Sequence, residues 1–350
     1  METAGANPLG REAPSSACRG RGAWYGGNVS NGSIPASKPL KMVSCGRCKS
    51  RTFIPGDLAP FSTTPCGKCG HPVMLPVMLR NFELRTIIAS GGMGTVYTAH
   101  DVKLEREVAL KMMKREMAAD PGVLEGFYRE ARASASLNHT NIIHIYSFDE
   151  FDGQPYLVME LADHGSLDSR IEAEGRVPEL DVLDVGIKIS SALATALKHN
   201  LLHRDIKPGN ILYNGDGEPK LIDFGLVKAA EDDSWEEAIW GTVYYVAPEK
   251  LERRGEDFHS DMYSLGGTLY HALTGHVPFE GTVEEVVWAQ VHTPLTPPNQ
   301  VAPDITQLTS NALSRAMAKH PSERFETYDE LVMALESARS HLLVGHYRQH

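Results

Sequence analysis

Short apolar runs of strand type mark the first half of this chain, with one helical segment set among them. Glu107-Val108-Ala109-Leu110-Lys111 is an apolar run closed by a cation, and Tyr156-Leu157-Val158-Met159-Glu160-Leu161 reads as a buried strand. Between them, Gly122 to Leu137 has helical composition. Upstream, Ile87 to Tyr97 reads as two strands joined by a glycine-rich turn, Gly91-Gly92-Met93-Gly94. Two smaller candidates, Thr52-Phe53-Ile54 and Val73-Met74-Leu75-Pro76-Val77, precede it. No run of 18 apolar residues occurs, so no membrane span is expected, and the N-terminus shows no apolar core of a secretory signal. Residues 1–40, rich in Gly, Ser, Pro and Ala, hold too little apolar material to offset chain entropy and are expected to form a disordered tail.

Length and charge sharpen this picture. A chain of 350 residues with 42% hydrophobic content can build two domains. Its net charge of −11 is uneven. Residues 1–85 carry 11 Lys and Arg against 4 Asp and Glu, whereas residues 86–350 carry 23 against 41. The acidic part disfavours nucleic acid and favours basic substrates or partners.

Four of the five cysteines form two C-x-x-C pairs, Cys45/Cys48 and Cys66/Cys69. The separation of the pairs falls in the window used by four-cysteine zinc sites. Two such knuckles, with Gly46 and Gly67 easing each turn, complete a tetrahedral S₄ shell that leaves no open position, so the metal would be structural. An iron site of the rubredoxin type shares the ligand set. The segment 41–79 resembles a zinc ribbon. Lys41, Arg47, Lys49, Arg51 and Lys68 make it basic, so a protein partner, docking on the acidic domain and nucleic acid are all readings of its surface.

The densest chemistry lies at His203-Arg204-Asp205-Ile206-Lys207-Pro208-Gly209-Asn210, followed by Asp223-Phe224-Gly225. An acid, a lysine and two oxygen ligands suited to a hard cation fall close together along the chain there. These strings resemble the catalytic and metal-binding loops of protein kinases, and the loop Gly91-Gly92-Met93-Gly94 resembles that of bacterial Ser/Thr kinases most closely. The resemblance spans about residues 80–340 and implies an α+β, bilobal fold, with a small lobe over 82–160 and a large lobe over 165–340.

It also implies roles. Asp205 would accept the proton of the attacking hydroxyl, and Lys207 would bring charge to the transferring phosphoryl group. Asn210 and Asp223 would hold Mg²⁺ or Mn²⁺. Ala89, Gly91, Gly92 and Gly94 would form the phosphate-facing loop of an ATP site, Ala89 standing where the family has its first glycine. Lys111 would hold the α- and β-phosphates, with Glu130 as its carboxylate partner. Val96, Ala109 and Leu212 would sandwich adenine, whose edge would meet the backbone of Glu160 and Ala162. Glu249 and Arg324 would form a buried structural pair, and Asp261 would brace the catalytic loop. Gly241 to Glu249 resembles the end of an activation segment. The acidic run Glu231, Asp232, Asp233, Glu236 and Glu237 around Ser234 suggests basal activity without phosphorylation there.

The expected activity is transfer of the ATP γ-phosphate to protein Ser or Thr hydroxyls in the reducing cytoplasm. A pseudokinase scaffold is the alternative. Its usual mark, loss of Lys111, Asp205 or Asp223, is missing here.

Overall fold

The computed structural model describes residues 39–92, 94–224 and 243–347, without the side chains of Glu130, His346 and Tyr347. The expected N-terminal tail up to residue 38, Gly225, Ser234 with its acidic neighbours, and Gly241-Thr242 lie outside those residues, while Leu40, expected in the tail, opens a strand.

Two small hairpins come first. Strands β1 (Leu40–Ser44) and β2 (Arg51–Pro55) pair antiparallel, as do β3 (Thr64–Pro65) and β4 (Pro72–Val73). Each hairpin carries one C-x-x-C pair in its turn. The sulfurs, with Ile54 and Val73, make a separate small core. Gly46 and Gly67 are not the strained positions of these turns; the left-handed backbone falls on Lys49 (φ 56°) and Gly70 (φ 73°). Gly46 is needed for space instead. A Cβ there would lie 2.6 Å from the carbonyl oxygen of Ile87, closer than any side chain tolerates.

A six-stranded antiparallel sheet follows, in the order β5-β6-β7-β8-β10-β9. Its strands are β5 (Val77–Leu79), β6 (Phe82–Ser90), β7 (Gly94–Asp101), β8 (Arg106–Met113), β9 (Ile145–Phe151) and β10 (Gln154–Met159). Half-exposed and buried positions alternate from Val96 to Asp101 of β7, as a sheet with one covered face requires. The run Val73 to Val77 is therefore not one strand. Val73 ends the second knuckle hairpin, Met74 is buried in the core of the large sheet, and Val77 opens β5, which pairs with β6. The segment 41–79 hands its last strand to the sheet of the next domain. Helix α1 (Pro121–Ser136) starts at Asp120, whose side chain accepts the N–H groups of Gly122 and Val123, with Pro121 in the first turn. It packs Phe127 and Ala131 against Met113 and Leu157.

The rest is mostly helical. Its longer helices are α2 (Leu167–Glu174), α3 (Glu179–Lys198), α4 (Phe258–Thr274), α5 (Val283–His292), α6 (Gln307–Ala316) and α7 (Tyr328–Tyr347), and all but α5 contribute to one large core. Ile189, Leu193, Met262, Leu265, Leu313 and Leu335 are all buried there. Capping boxes start α2 at Ser166 and α5 at Thr282. A hairpin of β11 (Ile211–Tyr213) and β12 (Pro219–Leu221) lies between α3 and α4 in sequence. No helix among the described residues is long and apolar enough to cross a membrane.

Candidate active site

The hairpin β11–β12 brings the two chemical motifs together. Asn210 precedes β11 and Asp223 follows β12, and the Ile222 amide donates to the Asn210 carbonyl at 3.0 Å. Asp205 is held from two directions. Lys207 Nζ stands 2.8 Å from Asp205 Oδ2, and Asn210 Nδ2 donates to the same oxygen at 3.0 Å and to the Asp205 carbonyl at 2.7 Å. The Asn210 amide nitrogen is thus engaged with Asp205, so the oxygen is what this side chain offers a cation. On the sheet side, Lys111 Nζ donates to Asp223 Oδ1 at 2.7 Å. Among the described side chains, Asp223 supplies a carboxylate to Lys111. The side chain of the expected partner, Glu130, falls outside the described residues.

The catalytic-type loop is braced from beneath. Arg204 and Asp223 both adopt left-handed backbone, at φ 67° and 52°, a conformation that persists in non-glycine residues only when the surroundings hold it. Asp261 supplies part of that hold. Its carboxylate accepts the amides of His203 at 2.6 Å and Arg204 at 2.7 Å. Burial pushes this carboxyl up, opposed by His203 and by those two amides. His203 in turn donates from Nε2 to the Ile222 carbonyl at 2.9 Å, the carbonyl being able only to accept, and its ring meets that of Phe224 at a tilt of 58°.

The proposed nucleotide-facing positions lie on adjoining strands. Val96 on β7 is opposite Lys111 on β8, and Ala109 on β8 is opposite Met159 on β10. Ala89 pairs with Val96 inside the β6–β7 ladder. The Gly91 amide donates to the Gly94 carbonyl at 2.9 Å, while Gly91 and Gly92 face open space. Gly94 is constrained differently: a Cβ would come 2.3 Å from the Met112 carbonyl oxygen, so glycine lets β7 lie close on β8. The Glu160 amide donates to the His144 carbonyl at 2.8 Å, which leaves its own carbonyl as the group it offers. Ala162 is buried, and Leu212 bridges to Ser166 just past it.

Sequence reasoning missed Lys220. Its ammonium meets Glu160 Oε1 at 2.5 Å, with Lys220 8% and Glu160 18% exposed. The pair ties the segment after β10 to β12, on which Lys220 stands opposite Leu212. A lysine in a short strand carries no signal of this, because its partner lies on a distant part of the chain. Removing one partner of a desolvated pair leaves the other charge uncompensated. Lys220→Met should therefore lower the melting temperature, and adding Glu160→Gln should recover most of the loss. A double-mutant cycle by thermal denaturation measures the coupling, and additive single losses would refute it.

The four knuckle sulfurs lie within 4.8 Å of one another. The cross-knuckle distances are 3.6 Å for Cys45–Cys69 and 3.7 Å for Cys48–Cys66. A tetrahedron of 2.3 Å zinc–sulfur bonds has edges of about 3.8 Å. The donors thus fit Zn²⁺ in both number and spacing. The Cys66 thiol is drawn down to about 5, first by the Ser50 and Thr52 hydroxyls, then by the Lys68 and Cys69 amides. Such hydrogen bonds favour the thiolate a metal binds.

Residues 82–336 match the protein kinase domain family model, and the chain belongs to that family. It is 33% identical over 287 residues to the probable serine/threonine-protein kinase PknB of Corynebacterium glutamicum, covering 77% of this chain and 44% of that protein. It is 34% identical over 261 residues to the serine/threonine-protein kinase PrkC of Bacillus subtilis, covering 73% of this chain and 40% of the relative. The chain thus spans under half the length of these curated relatives. Among solved structures, the kinase domain of PknI from Mycobacterium tuberculosis superimposes with a TM-score of 0.60 at 25% identity, covering 76% of this chain and 99% of that one.

Proposed function

We propose that this chain is a Ser/Thr protein kinase that transfers the γ-phosphate of ATP to protein hydroxyls. The observation that carries the reading is the convergence of Asp205, Lys207 and Asn210 in one hydrogen-bonded group. Asp205 Oδ2, fixed by two donors, accepts the proton of the substrate hydroxyl. Lys207 places its charge beside that carboxylate and balances the phosphoryl group as it moves. Lys111 orients the nucleotide phosphates, and the backbone at Gly91 and Gly92, open to solvent, approaches them without side-chain interference. Asn210 Oδ1 and Asp223 would hold Mg²⁺, which neutralises charge on the phosphate oxygens when bound. Catalysis on this plan is positioning and charge stabilisation, without a covalent enzyme intermediate.

The cysteine knuckles serve as a structural zinc ribbon that regulates the kinase or docks a partner. The alternative, a pseudokinase scaffold, differs in one measurable respect. Purified protein with labelled ATP, Mg²⁺ and a basic Ser/Thr-containing substrate should transfer label. Asp205→Asn should lower kcat by about 10² to 10⁴, the usual contribution of a positioned base, while nucleotide still binds. Near wild-type turnover in that variant would remove Asp205 from the reaction. Nucleotide binding without any transfer by the wild type would favour the scaffold.

A further inference from the structure

Both cysteine knuckles meet the nucleotide lobe at one atom, the carbonyl oxygen of Ile87. The first knuckle approaches through Gly46, whose missing side chain leaves room for that oxygen and for Thr86. The second approaches through His71. Its Nε2 lies 2.9 Å from the Ile87 oxygen, and the carbonyl can only accept, so Nε2 carries the proton. The backbone of His71 is fixed at the same time, because the Cys66 amide donates to its carbonyl at 2.8 Å. A chain of two hydrogen bonds therefore runs from a sulfur-bearing residue to β6.

The place where it arrives matters. The β6–β7 ladder is in register at Ile87–Tyr97 and again at Ala89–Val96, so an extra residue is accommodated between them. Such a bulge disrupts the ladder locally and bends the strand. Here it lies just before Gly91, and the carbonyl at its edge is satisfied from the ribbon. Phe61 adds an edge-to-face contact with Tyr97, the partner of Ile87, at 6.4 Å between ring centroids. Lys49 of the first knuckle also reaches within 4.0 Å of Asp163, next to Ala162.

We propose that His71 is a positioning residue for the glycine-rich loop, through which metal occupancy of the four-cysteine site sets affinity for ATP. The inference rests on the kinase reading of the site. With Zn²⁺ bound, the knuckles hold His71 and Gly46 against Ile87 and fix the direction in which β6 enters the loop. Loss of the metal frees both knuckles and leaves the bulge carbonyl without its ribbon donor. Linkage then requires the converse: nucleotide on the loop holds the metal more tightly, by the same factor.

The test uses the full chain loaded with zinc. Binding of a fluorescent ATP analogue with Mg²⁺ is titrated, KM for ATP and kcat are measured, and zinc per chain is determined for every variant. His71→Ala should raise the analogue Kd and KM about three- to tenfold, the range one hydrogen bond supplies, with kcat within about twofold and zinc content unchanged. His71→Gln, which keeps an N–H donor, should recover most of the affinity. Gly46→Ala, which pushes the first knuckle off Ile87, should weaken binding in the same direction. Saturating Mg·ADP should slow chelator extraction of zinc from the wild type and not from His71→Ala. Nucleotide affinity indifferent to His71, or zinc extraction indifferent to nucleotide, overturns the coupling alone. A wild-type protein that binds no nucleotide overturns the kinase reading and the coupling with it.

Discussion

Arg324→Met is expected to cost about 3–5 kcal/mol of stability, the penalty for leaving one partner of a buried ion pair uncompensated. Arg324 is fully buried and donates from both terminal nitrogens to the two Glu249 oxygens, at 2.7 and 2.8 Å. It also donates to the carbonyls of Ala318, His259 and Lys319, while Ser260 donates to Glu249. The cost is a large share of the roughly 5–15 kcal/mol that holds a domain folded. The pair also gives the stability a pH dependence of known sign. Burial alone would raise the Glu249 carboxyl, but the Arg324 and Ser260 bonds outweigh it and hold the pKa below the usual value. A depressed folded pKa contributes stability that is complete above the unfolded value near 4.3 and is lost as pH falls through the folded one. Urea titrations of wild type and Glu249→Gln should show a difference that is largest at neutral pH and shrinks below about pH 4. A difference independent of pH would mean that Glu249 has the same pKa folded and unfolded, and a difference that grows as pH falls would mean that it is neutral in the folded protein.

The parts legible in the sequence were those whose chemistry is local in the chain. The string from His203 to Asn210 was legible because it resembles the catalytic loop of protein kinases, and Lys207 and Asn210 do meet the Asp205 carboxylate. The two cysteine pairs needed only their turns to aim four sulfurs at one point. The helix from Gly122 to Leu137 announced itself through composition, and the structure adds the cap at Asp120 and ends the helix at Ser136. What escaped was set by distance along the chain. Lys220 and Glu160, or His71 and Ile87, meet only after separate segments have packed, and no spacing rule connects them. The role given to Gly46 failed for the same reason: its turn is ordinary, and its constraint comes from Ile87, on a strand of the next sheet. Met74 looked like part of a ribbon strand, yet it is drawn into the larger core beside Leu79 and Leu84.

Removal of the metal should unfold the knuckles and spare the kinase lobes. Cys45, Ile54, Cys66 and Val73 form the whole buried set of the ribbon's core, too little apolar area to hold two short hairpins by burial alone. The lobes have large cores of their own, which share no residue with it. Structural zinc supplies about 10–16 kcal/mol of apparent binding free energy in small domains, so the ribbon should depend on it wholly. Metal analysis is expected to give one zinc per chain. Chelation, or Cys45→Ser with Cys66→Ser, should expose residues 42–73 to hydrogen exchange and proteolysis. The sheet from β7 to β10 and helices α3, α4 and α7 should stay protected. Residues 74–90 form the boundary case: Met74 and β5 remain anchored in the sheet, while the β6 bulge loses His71 and should exchange faster than β7. Iron in place of zinc would change the metal and keep this pattern. Full protection of residues 42–73 in a metal-free protein would show that the hairpins fold by packing alone.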